Sequence, residues 1–288
     1  MENKNLNFIF FGTPEVGSKT LEILKTNRYL PDLIITSPDK PQGRKMLITP
    51  PPVKIWAEEN KIEFLQPKKI DENFLNILKE KVEAHKINLF IIVAYGKILP
   101  ESLINLPKFG SINIHYSLLP KYRGASPVES AILNSNTETG ISIQKMEFKL
   151  DSGPIIAQEK VNILPTEKAQ ELRERLIKIG AELLVKTLPD YIENKIKLIK
   201  QNENQATFCK KIKKEDGLIN LENNAEKNYN KFRAYSVWPR TFFFKNNKRI
   251  IITDAKLKNN KFEIIKVLPE GKKEIDYSDF LKTTSSNE

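Results

Sequence analysis

An asparagine and a histidine stand two residues apart in Ser111–Tyr116, a segment whose alternating residues predict a β-strand. Side chains two positions apart on a strand project from the same face, so Asn113 and His115 are expected to lie side by side. An amide can donate a hydrogen bond to an oxyanion, and a histidine can accept a proton near neutral pH. The pair suits attack on a carbonyl-like carbon, although a histidine held at a strand end by a backbone carbonyl is the commoner reason for such a dipeptide.

A third polar residue, Asp151, stands in the sequence Leu-Asp-Ser-Gly further along the chain. An aspartate before Ser-Gly is most often a turn or capping residue. If this loop returns beside His115, the carboxylate would orient the imidazole and hold its charged form. The segment Ser117–Pro127, directly after the Asn/His strand, contains two prolines and a glycine and carries two leucines that could form an apolar wall for a flat ligand.

Other chemistries fit the sequence less well. The run Gly12–Lys19 nearly spells a phosphate-binding loop, but its serine precedes the lysine and Pro14 removes a backbone donor. His85 is expected at the polar end of a helix, on the surface. With Cys209 as the only cysteine and two histidines in all, a Cys/His zinc site is excluded, and no metal is expected.

The positive charge is unevenly spread along the 288 residues. The chain has 47 Lys and Arg against 36 Asp and Glu, a formal charge of +11; residues 1–206 hold 29 basic and 25 acidic residues, so the remaining 18 and 11 give +7. A lysine-biased, solvated surface explains this as well as an anionic partner such as a nucleic acid does. The polar N-terminus and the lack of a long apolar run predict a cytoplasmic protein with no membrane segment.

Strands alternate with helices in the first two thirds of the chain, which indicates a doubly wound, mostly parallel sheet. The predicted strands include Asn7–Phe11, Leu33–Thr36, Leu89–Val93 and Ser111–Tyr116, with Ser37–Ile48 as a loop. The polar stretch 194–206 predicts a linker. Shorter aromatic and β-branched segments then predict a small β domain. The expected domains are therefore 1–193, a linker at 194–206, and 207–288.

These pieces together resemble the 10-formyltetrahydrofolate-dependent formyltransferases. The likeness is carried by Asn113-x-His115-x-Ser-Leu-Leu-Pro-x-Tyr-Arg-Gly-Ala-x-Pro with Leu150-Asp151-x-Gly153 downstream. The resemblance implies an α/β, Rossmann-like catalytic domain with a small C-terminal OB-like β-barrel. It also implies Asn113, His115 and Asp151 as the catalytic trio, and a folate site formed by Ser117, Leu118, Leu119, Pro120, Val93, Ala94, Tyr95 and Gly96.

Further likenesses point to members of the family that formylate methionyl initiator tRNA. They are Phe10–Pro14, Ser37-Pro-Asp-Lys-Pro-x-Gly-Arg44, Trp238-Pro239 and Asp279–Leu281. The resemblance implies 10-formyltetrahydrofolate as formyl donor, a monomer, and basic residues that contact the tRNA. We place those contacts at Lys40, Arg44, Lys45, Lys210, Lys211, Lys213, Lys214, Lys231 and Arg233.

Two departures from the family pattern and two other functions stay open at this stage. The stretch from Leu257 to Val267 is short for the family's barrel, and position 116 is Tyr where a small residue or Pro is usual. The runner-up function is formylation of an amino sugar nucleotide, against which the basic loop and basic tail count. A non-catalytic RNA-binding protein is the other alternative, against which the complete trio counts.

Overall fold

The computed structural model describes residues 6–43 and 45–285. Its strands are β1 (Phe8–Gly12), β2 (Leu33–Ile35), β3 (Lys40–Gln42), β4 (Leu47–Thr49), β5 (Phe64–Leu65), β6 (Leu89–Val93), β7 (Ser111–His115), β8 (Arg123–Gly124), β9 (Glu138–Lys145), β10 (Ile155–Asn162), β11 (Phe208–Cys209), β12 (Phe242–Lys245), β13 (Lys248–Lys258), β14 (Lys261–Pro269) and β15 (Ile275–Asp276). Its α-helices are α1 (Glu15–Thr26), α2 (Pro52–Glu59), α3 (Glu72–Ala84), α4 (Glu101–Ile104), α5 (Pro127–Leu133), α6 (Ala169–Ile192), α7 (Ala225–Ala234) and α8 (Tyr277–Ser285). None of these helices combines the length and apolar composition needed to cross a membrane.

The chain forms two compact units that interleave in sequence. The first consists of Met1–Arg123, Gly140–Lys160 and Arg175–Thr207, and the second of Gly124–Thr139, Val161–Glu174 and Phe208–Glu288. Residues 194–206, which the composition marks as a linker, therefore group with the first unit. The domain bounds expected from the sequence stay a prediction.

A seven-stranded sheet in the order β10-β9-β7-β6-β1-β2-β5 forms the centre of the α/β fold. Strands β1, β2, β5, β6 and β7 run parallel, and β9 is antiparallel to β7. All five residues of β1 and all five of β6 are buried, as continuous apolar strands covered on both faces must be. The mostly parallel, Rossmann-like sheet predicted from the sequence is confirmed.

One face of this sheet packs against α3 and α4. Their buried residues Phe74, Leu78, Leu103 and Ile104 join apolar strand residues, among them Ile9, Phe11 and Phe90, in one core cluster. Helix α3 begins directly after Asp71, whose carboxylate accepts a hydrogen bond from the N–H of Phe74 at 3.1 Å. Apolar residues at helical spacing thus pack these helices against the sheet and fix the positions of the strand ends.

The second unit contains the antiparallel sheet β12-β13-β14-β15, with α7 and α8 packed on it. Its core includes Tyr229 and Phe232 from α7, Phe280 from α8, and Ile250 and Val267 from the strands. This is the small C-terminal β domain that the sequence predicts. Among the described residues it has four strands, fewer than the five of a complete OB barrel, in keeping with the shortening expected between Leu257 and Val267.

The same tetrapeptide, Lys-Asn-Asn-Lys, forms the short turn in each of two hairpins of this sheet. It occurs at 245–248, between β12 and β13, and at 258–261, between β13 and β14. The central residues all have positive φ: 50° and 58° at Asn246 and Asn247, 50° and 57° at Asn259 and Asn260. Two-residue hairpins need such left-handed backbones, and asparagine tolerates them better than other residues that carry a β-carbon.

Asn260→Val is therefore expected to destabilise the second unit by about 1–2 kcal/mol, because a β-branched residue is strained at positive φ. Asn260→Gly should leave the free energy of unfolding unchanged or slightly higher. Urea denaturation followed by circular dichroism measures both. Glu263→Val, on strand β14 where β-branched residues are favourable, is the matched control. Equal stability of the two valine variants would contradict this account of the turn.

Candidate active site

Strands β1, β6 and β7 all end at one edge of the sheet, and the candidate residues follow them there. Strand β1 has β2 on one side and β6 on the other, so the order of the strands reverses at the β1–β6 pair. Ligands of doubly wound sheets bind in the crevice at the carboxyl ends of the strands, at this reversal point. His115 is the last residue of β7, next to β6, and Val93–Gly96 leave the end of β6.

The imidazole of His115 is buried between a carbonyl and a carboxylate. Its Nε2 lies 2.8 Å from the carbonyl oxygen of Tyr122, and its Nδ1 lies 3.6 Å from Oδ2 of Asp151. A carbonyl oxygen can only accept, so Nε2 carries a proton and donates it to Tyr122. In the neutral ring, Nδ1 is then the atom that can take up a proton, on the side that faces Asp151.

Asp151 is held in place by a glutamine that the sequence analysis did not single out. Its Oδ1 accepts a hydrogen bond from Nε2 of Gln144 at 2.9 Å, which leaves Oδ2 directed at His115. Gln144 is directly opposite Asn113 in the β7–β9 pairing, and Ser142 is opposite His115. Directly opposed residues of antiparallel strands share a face, so two polar pairs from neighbouring strands line this part of the sheet.

The backbone around Asp151 is also tightly fixed. Asp151 has φ 47°, and a β-carbon on Gly153 would lie 1.7 Å from the carbonyl oxygen of Lys145. Only glycine fits so close an approach. The Leu-Asp-x-Gly motif therefore bends the loop back onto strand β9, which brings Asp151 to the histidine at the end of the neighbouring strand.

A buried arginine supports the loop that carries Asp151 and Gly153, through Gln201. Arg123 is fully buried, and its Nη2 donates to Oε1 of Gln201 at 2.8 Å and to Oε1 of Glu203 at 2.6 Å. The side chain of Gln201 in turn donates to the carbonyl oxygens of Asp151 at 2.9 Å and Gly153 at 2.7 Å. Residues from the stretch predicted as a linker thus form part of the support of the candidate catalytic loop.

The predicted folate segment Ser117–Pro120 is fixed to strand β9. The hydroxyl of Ser142 donates to the carbonyl of Ser117 at 2.6 Å and accepts from the N–H of Leu119 at 3.0 Å. The side-chain amide of Gln158 donates to the Leu119 carbonyl at 3.0 Å. Ser117 and Leu119 are buried, whereas Leu118 and Pro120 are half-buried and so present apolar surface.

The second predicted folate segment, Val93–Gly96, turns sharply at the end of β6. Ala94 and Gly96 are exposed and have positive φ, while Val93 and Tyr95 are buried. The carbonyl of Tyr95 accepts from the hydroxyl of Thr13 at 3.2 Å, which ties the end of β6 to the end of β1. Burial raises the pKa of the Tyr95 phenol above its ordinary range, so this side chain is neutral.

The predicted tRNA contacts fall into two groups. Lys40, Lys45, Lys210, Lys211, Lys213 and Lys214 are exposed. Lys40 opens a hairpin formed by β3 and β4, where the sequence predicts only a loop; Arg44 lies outside the described residues. Six of the nine predicted contacts are thus accessible to a polyanion.

Arg233 and Lys231 are engaged within the protein. The guanidinium of Arg233 is buried and donates to the carbonyl oxygens of Leu164 and Glu167 and to Asn230. Lys231 donates to the carbonyl oxygen of Leu218, and burial lowers the pKa of its ammonium group. The sequence analysis predicts that Arg233 contacts tRNA. Because its guanidinium is buried and hydrogen-bonded within the protein, we no longer include Arg233 among the predicted tRNA contacts. Lys231, only partly buried, is the weakest of the remaining contacts.

Sequence reasoning missed four supporting residues: Gln144, Ser142, Arg123 and Gln201. A signal existed for two of them, because Ser142 and Gln144 alternate with Ile141 and Ile143 along strand β9, and both are buried. Arg123 and Gln201 are 78 positions apart in sequence, and no local pattern links them. Tyr116, the unusual residue next to His115, is buried, and its ring lies close to Gly180 of α6.

Comparison with protein families matches this architecture to one class of enzymes. Residues 4–188 match the formyl transferase family, and residues 211–264 match the formyl transferase C-terminal domain. A Staphylococcus epidermidis protein named methionyl-tRNA formyltransferase is 40% identical over 248 residues, 86% of this chain and 78% of its own length. One of the same name from Dictyoglomus thermophilum is 38% identical over 305 aligned residues, 96% of each chain. The chain belongs to the formyl transferase family, within its group of methionyl-tRNA formyltransferases.

Solved structures share the fold. An N-formyltransferase from Helicobacter canadensis, crystallised with folinic acid and dTDP-3-aminofucose, aligns with a TM-score of 0.66 and 22% identity over 88% of each chain. The methionyl-tRNA formyltransferase from Clostridium thermocellum aligns with a TM-score of 0.58 and 18% identity, over 94% of this chain and 99% of its own. These likenesses extend over nearly the whole chain.

The Arg123 anchor makes a prediction about acid stability. Hydrogen bonds from Arg123, followed by those from Lys149, lower the pKa of Glu203 from 4.5 to about 2. A carboxylate whose pKa is lower in the folded state stabilises the protein above pH 4.5, and that stabilisation is lost as the pH falls towards 2. Glu203→Gln should therefore flatten the fall of the urea midpoint between pH 5 and pH 3. Glu222→Gln, on the surface of the second unit, is the charge-matched control; equal slopes in both variants would count against the anchor.

Proposed function

We propose that the protein transfers the formyl group of 10-formyltetrahydrofolate to the α-amine of methionyl initiator tRNA, in the cytoplasm, where translation initiates. The observation that supports this proposal is the contact between His115 and Asp151 at the carboxyl end of β7, with Asn113 two residues earlier on the same strand, in a chain of this family. Relatives that carry the methionyl-tRNA formyltransferase name support the choice of acceptor.

The residues at this edge suit a folate. A pterin is flat, largely apolar on its faces and rich in hydrogen-bonding groups at its rim. The half-buried side chains of Leu118 and Pro120 offer apolar contact, and the exposed turn at Ala94 and Gly96 offers backbone groups. A β-carbon on Gly96 would have no atom within 4 Å, so the space beside this turn is open to a ligand. When bound there, the folate supplies an electrophilic formyl carbon.

The chain itself supplies a hydrogen-bond donor and a proton acceptor. Asn113 donates its side-chain N–H to the formyl oxygen as negative charge develops on it during attack by the amine. His115, with Nε2–H engaged by Tyr122, takes up the proton of the amine at Nδ1, directly or through water. The carboxylate of Asp151 faces that nitrogen and stabilises the positive charge that the ring then acquires. As the bond between the formyl carbon and the folate nitrogen breaks, His115 gives its proton to that nitrogen, directly or through water, so tetrahydrofolate leaves and the imidazole is neutral again.

We assign tRNA binding to exposed basic residues on each unit. Lys40 and Lys45 in the β3–β4 hairpin, with Arg44 between them, contact the acceptor end. Lys210, Lys211, Lys213 and Lys214 contact backbone phosphates, with a lesser contribution from Lys231. Phosphate contacts position a nucleic acid without reading its sequence, so we assign discrimination of the initiator tRNA to the hairpin.

Replacing a trio member should abolish most of the turnover. Asn113→Ala is expected to lower kcat about 10²–10³-fold, since a donor to the oxyanion is lost. His115→Ala should lower it by about 10²–10⁴-fold, since the general base is lost. Asp151→Asn should also lower kcat sharply. Formyl-methionyl-tRNA formation from purified protein, formyl-folate and charged initiator tRNA measures all three.

The chain provides a matched control for the histidine variant. His85 follows α3, and its carbonyl accepts from Asn7, immediately before β1, so it lies at the opposite edge of the sheet. His85→Ala should therefore retain full turnover. Parallel assays with an amino sugar nucleotide test the runner-up acceptor, and tRNA binding without formyl transfer by the parent protein would revive the non-catalytic alternative. Near-normal turnover in Asp151→Asn would remove Asp151 from the trio.

Substitutions in the β3–β4 hairpin should affect the tRNA substrate alone. Arg44→Ala and Lys45→Ala are each expected to raise KM for tRNA and to reduce its salt dependence by about one unit of slope, because a phosphate contact is lost. KM for formyl-folate should stay constant. Lys178→Ala, an exposed lysine of α6, is the control. If the two hairpin variants and the control gave the same tRNA kinetics, the hairpin assignment would fail.

A further inference from the structure

We propose that Gln144 is a positioning residue for the formyl transfer, which holds the Asp151 carboxylate in the orientation that faces His115. The proposal rests on the function proposed above, because it assigns the trio its chemistry. Gln144 acts through its hydrogen bond to Asp151. Its place on strand β9, opposite Asn113, makes the neighbouring strand part of the catalytic arrangement.

The hydrogen bond between Gln144 and Asp151 has one possible polarity. An ionised carboxylate only accepts, so the amide must present its Nε2–H to Oδ1 of Asp151, as the 2.9 Å contact shows. The other end of the amide, Oε1, is buried and has no hydrogen-bond partner among the described residues. A buried unpaired acceptor is unfavourable for folding. The unpaired Oε1 makes a buried glutamine unfavourable at this position. The hydrogen bond from its Nε2 to Asp151 is the interaction that explains why a glutamine is found here.

Gln144 selects one oxygen of Asp151 for the histidine. Two contacts divide the carboxylate: Gln144 engages Oδ1, while Oδ2 lies 3.6 Å from Nδ1 of His115. The loop backbone is fixed separately, by Gln201 on the carbonyls of Asp151 and Gly153. The hydrogen bond from Gln144 adds a restraint on the side chain of Asp151 to this restraint on its backbone.

The charged groups near the loop that carries Asp151 affect the titration of His115, so the variants must leave them unchanged. Asp151 faces His115 directly. Glu203 forms ion pairs with Arg123 and Lys149, and these three residues are further charged groups near the loop. These groups stay unchanged when Gln144 is replaced. Gln144→Met keeps the length and shape of the side chain but removes the donor. Gln144→Glu keeps the shape and adds a negative charge beside Asp151.

Histidine titration followed by NMR tests the proposal without relying on activity. The protein has only two histidines, so His85→Ala assigns both imidazole signals. Gln144→Met should move the titration midpoint of His115 to lower pH, because the carboxylate is no longer held against the ring. Gln144→Glu should move it to higher pH, because negative charge is added. An unchanged His115 midpoint in Gln144→Met would overturn the proposal, whatever the result for Gln144→Glu.

Kinetics and stability separate positioning from a merely structural role. Gln144→Met should lower kcat roughly tenfold, the factor that corresponds to one hydrogen bond to a charged group, with both KM values unchanged. In an Asp151→Asn background the same substitution should have no further effect on kcat. The Tm of Gln144→Met should stay close to that of the parent, because the loss of the hydrogen bond to Asp151 and the removal of a buried unpaired acceptor have opposite effects on stability. A lowered Tm with additive kinetic effects would contradict positioning and indicate a structural role.

Two safeguards keep the outcome clear. Gln170→Met, on the exposed surface of α6, is the control for the glutamine-to-methionine change and should leave kcat unaltered. If Gln144→Met failed to fold, Gln144→Leu, which also removes the donor without adding charge, would replace it in the titration test. Were the parent protein unable to formylate methionyl-tRNA, the proposed function would fall, whereas the NMR result would still decide whether Gln144 holds Asp151 against His115.

Discussion

The structure of the candidate site depends on one constraint: a carboxylate must be kept beside an imidazole where little water can reach either. The side chains of His115 and Asp151 are only 7% and 13% exposed. A charge in such surroundings is strongly disfavoured unless hydrogen-bond donors replace the lost water. Asp151 therefore needs Gln144, and the loop that carries it needs Gln201. Each of these supports comes from a different part of the chain, which makes the long-range fold a condition for the local chemistry.

The same constraint explains the buried arginine. Arg123 has no exposed surface, and a buried guanidinium whose partner is missing destabilises a protein strongly. Glu203 and Gln201 accept hydrogen bonds from Arg123. Gln201 also donates a hydrogen bond to the carbonyl oxygen of Asp151, which fixes the loop that carries Asp151. The stretch after α6 thus completes the first unit instead of merely connecting it to the next. Its polar composition reflects hydrogen bonds to the loop that carries Asp151 as much as contact with solvent.

The sequence predicts the sheet well because continuous apolar runs leave few alternatives. The predicted strand at 89–93 coincides with β6, and the predicted strands at 7–11 and 111–116 differ from β1 and β7 by one residue at their ends. The β3–β4 hairpin escapes prediction because its residues are exposed and carry no period-2 pattern. The trio could be proposed from residue types and a long motif. Not all of its supports could, because Arg123 and Gln201 acquire their roles only through contacts with residues distant in sequence.

The basic residues show how far charge alone can guide the assignment of a binding surface. Residues 207–288 carry a net charge of +7, yet Arg233 within them is spent on internal carbonyls and on Asn230. Arginine has five donors in a fixed plane, which makes it suited to tie loops together as well as to bind phosphate. Lysine keeps its charge on a flexible stem that reaches solvent. The exposed lysines at 210–214 are therefore better candidates for contact with tRNA than Arg233.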